Sequence, residues 1–330
     1  MRRKIMVVLL IIILFLGGYL VYSLLRVRTL ASVIHYPTNF LRQNPLHQHV
    51  EHLSVHIGSR SIYEYEQLIK AENYIYVTLE KMGYKPQRQE VLYENRCYNN
   101  IIATLSGMVN PEETILIGAH FDTVSGTPGA DDNASSVAVL LEAARLLKGF
   151  NSERTIRFVF FVLEEPPVFR SPYMGSAVYA RQAKKRAEKI VAMLCLEMLG
   201  YFSEEKNAQS YPIPMMHLFY PFQPDFIAVV GNLHSRKLVK EVARSLRNHS
   251  SVPVETLATV SLVPGVDFSD HKSFWGEGYP AVMITDTAFY RNPNYHMSTD
   301  TIDTLDFSRM RILLGGLVET IKDLSYHKVR

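Results

Sequence analysis

Four apolar runs in this chain hand over to a histidine or an acid. Residues 114–117 lead into Gly118-Ala119-His120-Phe121-Asp122, and a loop shortly afterwards gives Gly129-Ala130-Asp131-Asp132-Asn133 at the start of a helical pattern. Residues 155–163 end in Glu164-Glu165, and residues 190–196 end in Glu197. Residues 281–285 are followed by a loop carrying Tyr295-His296 and then Ser298-Thr299-Asp300-Thr301. Singly, each block is ordinary loop polarity. Together they offer imidazole and carboxylate donors in the combination that suits a divalent transition metal. If His120 and Asp122 are both extended, Phe121 points away and the two polar groups share a side, so Asp122 can orient the imidazole. The adjacent acids Glu164 and Glu165 project differently. One can hold metal while the other handles a proton, the division that hydrolytic chemistry needs.

Convergence of these blocks requires a sheet whose strand ends share one edge. Helical spacing through Leu68, Ala71, Tyr74, Ile75 and Leu79 predicts a helix over 63–84, stopped near Gly83. Extended runs follow at 88–93 and 99–105, then the buried strand at 114–117, a helix at 133–147 with Val137, Leu140, Leu141, Ala144 and Leu147 on one face, and a strand at 155–163. Strand, helix, strand implies a parallel crossover. Strands at 190–196, 225–230 and 281–285 and helices near 235–247 and 306–324 complete an α/β class. In open parallel sheets, ligands gather beyond the carboxyl ends of the strands, where the donor blocks fall. The stretch 201–224 holds Pro212, Pro214, Pro221 and Pro224 and cannot be regular; it reads as a pocket-lining loop within a catalytic domain spanning 49–330.

The amino-terminal part has a different character. Residues 5–25 carry no charge, a run long enough at about 1.5 Å per residue to cross a bilayer core of roughly 30 Å. It exceeds the apolar core of a cleavable signal peptide, and no small-x-small site closes it. The reading is a transmembrane signal anchor over 1–26, a stalk over 27–48, and a domain held by the lipid bilayer on the extracytoplasmic side, because the denser Arg2-Arg3-Lys4 cluster favours a cytoplasmic amino terminus. Arg2, Arg3, Lys4, Arg26 and Arg28 flank this run; without them the 35 basic residues of the 330-residue chain fall to 30, against 32 acidic ones. The remainder is near neutral, which excludes a nucleic-acid surface. Only Cys97 and Cys195 are present, and two unpaired thiols are the simpler expectation. His47, His49 and His52 precede every acid-bearing strand end and read as solvated surface at the foot of the stalk.

The ordered set Gly118-Ala119-His120-Phe121-Asp122-Thr123, Gly129-Ala130-Asp131-Asp132-Asn133-Ala134-Ser135, Glu164-Glu165, Gly175-Ser176, Glu197, Ser269-Asp270-His271 and His296 resembles metallopeptidase family 28, the co-catalytic dizinc aminopeptidases, over about 52–324, in a membrane-anchored, bacterial-type form. The resemblance implies a three-layer α/β/α fold with a mixed, mostly parallel central sheet, two divalent metal ions, zinc, and a peptide substrate with a free amino terminus. It implies that Asp131 bridges the metals, that His120 and Glu197 complete one site, and that Glu165 and His296 complete the other. It implies Glu164 as general base, Asp122 as orienter, a cis peptide at Asp131-Asp132, and Tyr295 as donor to the developing oxyanion. Asp132 is the alternative bridge, with Asp131 as a helix-start acid. Two departures stand out: Pro166-Pro167 and extra residues precede Gly175-Ser176, and Glu197 stands where many relatives have aspartate.

The mechanism these assignments imply is attack by a metal-bridged hydroxide, with Glu164 taking the proton and passing it to the leaving amine. Two other functions fit part of the pattern. A glutaminyl-cyclase-like acyltransferase retains much of the residue set with one metal, and a noncatalytic receptor or scaffold ectodomain needs none of the turnover. Asp270 and His271 read equally as groups that contact the substrate or brace the site, or as a helix-capping Asp beside an ordinary polar His.

Overall fold

The computed structural model describes residues 44–326. The expected anchor over 1–26 and most of the expected stalk over 27–48 lie outside the described residues. Among the described residues, no helix is long and apolar enough to cross a membrane.

Among the described residues, eight strands form one sheet: β1 (Gln87–Tyr93), β2 (Arg96–Leu105), β3 (Asn110–His120), β4 (Arg154–Phe161), β5 (Lys189–Glu197), β6 (Ile227–Asn232), β7 (Val254–Thr259) and β8 (Ala281–Thr285). Their order is β1-β2-β4-β3-β5-β8-β6-β7. Pairing is parallel for β3 with β4 and β5, β5 with β8, and β6 with β7, and antiparallel for β1 with β2, β2 with β4, and β6 with β8. The helices are α1 (Pro45–Glu51), α2 (Tyr65–Lys81), α3 (Ser136–Leu147), α4 (Gly175–Lys185), α5 (Arg236–His249), α6 (His271–Gly276) and α7 (Phe307–Tyr326).

Parallel central strands are covered on both faces, which is why their sequences are continuously apolar rather than alternating. The period of two still sorts the side chains. Ile115, Ile117, Phe158, Phe160, Leu194 and Leu196 pack beneath α1, α2, α3, α5 and α7, whereas Leu116, Val159, Phe161, Met193 and Cys195 pack with α4 and α6. The result is three layers, α/β/α. Each fully buried Leu or Phe in these layers contributes roughly 1.5–3 kcal/mol of transfer free energy, so truncating Phe160 to Ala should cost about 3–5 kcal/mol. The β3–α3–β4 crossover is parallel, with Ile117 opposite Phe158, and it puts His120 and the end of β4 on the same edge.

Three expectations need correction. The stalk does not extend to 48, because α1 begins at Pro45, capped by the Asn44 side chain, and buries Leu46 and Val50. The histidines beside it are packed rather than solvated: His49 Nδ1 lies 2.7 Å from the Tyr74 hydroxyl and its Nε2 3.4 Å from Glu142, His52 stacks on Tyr74 at 3.9 Å, and His47 lies 4.9 Å from the Phe307 ring. Leu46, His49, Val50 and Leu53 share one helical stripe, so burial of the leucines carries His49 inward. Finally, β7 and α4 have no counterpart in the sequence expectations. The edge strand β7 carries polar residues along its length, and α4 packs through Tyr179, Ala180 and Ala183 rather than through long aliphatic residues.

Candidate metal centre

His120 is the last residue of β3 and Glu197 the last of β5, so adjacent parallel strands deliver an imidazole and a carboxylate side by side. His120 Nε2 lies 3.4 Å from Glu197 Oε1 and 3.3 Å from Asp132 Oδ1. The second oxygen of the same carboxylate, Asp132 Oδ2, lies 3.3 Å from His296 Nε2, which is also 3.3 Å from Glu165 Oε2. One aspartate therefore stands between two histidines, each with its own glutamate. Glu164 approaches His120 and Glu165 closely as well.

The loops that carry these groups are tied by buried hydrogen bonds. Gly129 has φ 59°, and a Cβ there would lie 2.4 Å from the Asp132 carbonyl, so only glycine lets the chain turn into the acidic pair. Asp300 accepts from the Asp131 and Asp132 amides at 2.9 and 3.1 Å. The Asn133 side-chain amide spans to β5, donating to the Leu196 carbonyl and accepting from the Met198 backbone amide. Asp122 accepts from the Glu164 and Glu165 amides at 3.1 and 3.0 Å, while its Oδ1 stands 3.6 Å from His120 Nδ1. Its main work is thus to fix the end of β4; the nearer partner of His120 Nδ1 is the Asp122 carbonyl, at 3.2 Å. Ser269 donates to Glu197 Oε2.

Arg60 has no sequence context that singles it out. Its fully buried guanidinium donates to the carbonyls of Phe121, Pro128 and Gly129 at 2.6, 2.7 and 2.8 Å, clamping the β3 end to the turn that holds Asp132. Burial lowers its pKa to about 10, opposed by Asp300, Asp132 and Asp122, so it stays charged.

The acidic doublet resolves against the expected assignment. Asp131 turns away from the centre: its Oδ1 accepts from the Gly200 amide and its Oδ2 from the Asn292 side chain, both at 2.8 Å. Neighbouring residues in a non-helical stretch project to different sides, and Asp132, with φ −102° and ψ 89°, faces the histidines. The cis bond lies at Asp132-Asn133, one residue later than expected. His120, Glu165, Glu197 and His296 do come together, with Asp132 in the place foreseen for Asp131.

A divalent cation fits these residues. The donor atoms stand 3.3–3.4 Å apart, which is close to the edge of a tetrahedron with about 2.0 Å from centre to vertex. Asp132 Oδ1 in the His120 set, and Glu165 Oε1 and His296 Nε2 in the other, are buried without a hydrogen-bond partner, as expected for groups aimed at cations rather than at each other. The charges agree. Burial opposes a protonated His296, yet Asp132 and Glu165 raise its pKa to about 10, and His120 is likewise raised by Glu197, Asp122 and Asp132 against burial. The acids around both histidines thus favour positive charge at the centre.

Two further groups border the centre. Burial pushes the Glu164 carboxyl well above the usual carboxylate range, with His120 opposing and Glu165, Glu197 and Asp270 adding like charge. Tyr295 stacks on His296 at 3.7 Å. Burial, aided by Asp132 and Glu165, raises its phenol pKa. Asp270 is fully buried with no hydrogen-bond partner for either oxygen, and His271 turns away to the Val266 carbonyl at 2.8 Å. An acid-lined hollow bounded by Asp132, Glu164, Glu165, Glu197, Tyr295 and His296 opens beside the centre. Segment 201–224 is irregular apart from the turn Pro214–Leu218, and its Tyr211, Met216 and Tyr220 wall an adjoining apolar cleft. Cys97 is exposed and Cys195 buried, both free.

The model of Peptidase family M28 matches residues 100–314, a span that includes His120, Asp132, Glu164, Glu165, Glu197 and His296. The chain belongs to peptidase family M28. It is a metallopeptidase, a hydrolase. A protein of Escherichia coli K12, the uncharacterized YfbL, is 38% identical over 281 residues, covering 83% of this chain and 85% of YfbL. Among solved structures, the LapA aminopeptidase of Legionella pneumophila superposes with a TM-score of 0.68 at 21% identity, covering 92% of this chain and 79% of LapA. The zinc aminopeptidase BSAP of Bacillus subtilis gives 0.67 at 16%, covering 86% of this chain and 96% of BSAP. At these identities the two structures speak to the fold, and they agree with the three-layer arrangement of this M28 peptidase.

Proposed function

We propose that this M28 peptidase is an aminopeptidase working with two divalent metal ions, zinc: one held by His120, Asp132 and Glu197, the other by His296, Asp132 and Glu165. The observation that carries this reading is the single Asp132 carboxylate shared between two histidines, each with a second acid of its own. The acid-lined hollow favours a substrate bearing a protonated amine, hence a free amino terminus. The aminopeptidases that share the fold support the same reading.

When bound, divalent cations at such a site acidify water and polarise a carbonyl. Everything else falls to the chain. Glu164 lies beside both donor sets without being needed to complete either, and its carboxylate accepts the proton of the attacking water and returns it to the leaving amine. Burial makes this carboxylate a stronger base, which suits the first half of that task. Tyr295, held flat against His296, keeps its proton and presents a hydroxyl to the oxygen that becomes negative in the transition state. Asp122 acts at a distance by fixing the amides of Glu164 and Glu165.

The test is metal content together with amino-acid release from unblocked and amino-blocked versions of the same peptides. Two metals per chain and hydrolysis of the unblocked forms alone are expected. One metal with pyroglutamate formation would instead indicate a cyclase, and full metal loading with no turnover would indicate a binding ectodomain. The charge-free run over 5–25 supports a further part of the proposal: a single-pass anchor with the peptidase domain outside the cytoplasm. Protease added to spheroplasts, in which any outer membrane and wall are opened but the inner membrane is intact, should then digest the domain; full protection there, with digestion after lysis, would refute that orientation.

A further inference from the structure

The apolar cleft beside the centre has an unusual end wall. Its floor is a register row across four strands: Glu197 of β5 is opposite Thr285 of β8, Thr285 is opposite Ala228 of β6, and Ala228 is opposite Glu255 of β7. Residues paired across strands project to the same face of a sheet, and all four of these line the cleft. The next row on that face, Met283, Val230 and Leu257, lines it too. Between the two glutamates, then, the floor carries only the small side chains of Thr285 and Ala228. A carboxylate stands at each end of the row: Glu197 at the metal centre, and Glu255, buried, on the edge strand. With strands spaced about 4.8 Å apart, the two glutamates lie roughly 14 Å from each other. Aromatic side chains roof the space between, with Tyr211 and Tyr220 from segment 201–224 and Tyr290 from the turn Ala288–Tyr290.

We infer that Glu255 is a specificity-determining residue, and that the preferred amino-terminal residue of the substrate is arginine or lysine. This rests on the aminopeptidase reading above. The cleft has apolar, aromatic walls, which suit the methylene stem of a long basic side chain. Aromatic faces also attract its cation. Leucine ends at Cδ and leaves the far wall unreached, whereas the arginine guanidinium or lysine ammonium extends to a carboxylate already taken out of water. A carboxylate at that end of the row attracts a cation across the cleft and offers it a charge-assisted hydrogen bond, which an apolar side chain cannot take up. An acidic amino-terminal residue would be repelled.

The experiment measures kcat/KM of the zinc-loaded full chain on amino-acid amides of Arg, Lys, Leu, Phe and Glu, then repeats it with Glu255→Gln. The wild-type protein should favour Arg and Lys over Leu and reject Glu. Glu255→Gln, which keeps volume and polarity, should lose on the order of 10–100-fold on Arg and Lys while leaving Leu within about threefold. Hydrolysis of Leu or Phe faster than Arg and Lys by the wild-type chain would overturn the inference and leave the aminopeptidase reading standing. An equal loss on all five substrates in Glu255→Gln would overturn it as well, by showing a structural role. Failure to hydrolyse any unblocked amide, with metal bound, would instead remove the aminopeptidase reading itself.

Discussion

Replacing Asp132 by Asn should separate this residue from its neighbour more sharply than any other change. Among the described residues, Asp132 is the one carboxylate whose two oxygens face two different histidines, at 3.3 Å on each side. The substitution removes one of three protein donors from both sets and cancels a charge common to them. A supporting group outside the ligand shell is worth about 10–100-fold in metal affinity. Loss of a shared ligand should therefore weaken both sites by at least about 100-fold. At a fixed free-metal concentration above saturation, that removes about 2.7 kcal/mol of the stability contributed by each ion. For a domain of this size, about 2 °C of Tm per kcal/mol puts the fall near 5 °C per ion. Asp131→Asn offers the control: its bonds run to Gly200 and Asn292, so it should unfold more easily by about 1–3 kcal/mol with zinc affinity nearly unchanged. Zinc affinity by chelator competition, paired with thermal unfolding with and without the metal, reads both quantities. If Asp131→Asn lost zinc and Asp132→Asn kept it, the geometric assignment of the bridge would be wrong.

Three other outcomes follow from the same geometry. Glu164→Gln should retain its full metal content while kcat falls by at least about 10³-fold, read by metal analysis and steady-state rates; loss of metal would make Glu164 a ligand instead. Arg60→Met removes a cation that donates to the Phe121, Pro128 and Gly129 carbonyls, and urea unfolding should show a loss of about 3–5 kcal/mol. Arg60→Lys should restore little of it, because an ammonium cannot fork to the three acceptors. His271 is fully buried and burial lowers its pKa to about 4, with Nδ1 lacking a hydrogen-bond partner. Its folded pKa lies below the unfolded value near 6.5. Its contribution to stability is therefore complete above about pH 6.5 and is lost as pH falls toward 4, amounting to about 3 kcal/mol. In metal-free protein, urea titrations at pH 7 and pH 4 should differ by that much less in His271→Asn than in the wild type.

Much of the fold was legible because its signals are local. The runs around Ile115, Phe158, Leu194 and Val282 announced central strands through unbroken apolarity. Helix α3 announced itself through Val137, Leu140, Leu141, Ala144 and Leu147, where helical period and burial coincide. The donor blocks were legible for a related reason: each sits where an apolar run stops, and a parallel sheet gathers such ends on one edge. Strand β7 was not legible, because an edge strand carrying Glu255, Thr256 and Thr259 lacks the apolar signal of its neighbours. His49 was misread for the opposite reason. Its neighbours Leu46 and Val50 mark a buried stripe, but a helix of seven residues is too short for its period to stand out.

The sequence by itself determined the class, the parallel core and the residue types of the centre, since hydrophobic period and strand-end chemistry are written in consecutive residues. Which acid of the Asp131-Asp132 pair faces the histidines was decided only by tertiary structure. Two adjacent carboxylates are equivalent in a string of letters, and they become different when Gly200 and Asn292, distant in sequence, satisfy one of them and leave the other to His120 and His296. Arg60 and Glu255 are of the same kind. Each takes its role from partners that the fold brings near: carbonyls from two loops for Arg60, and a four-strand register for Glu255.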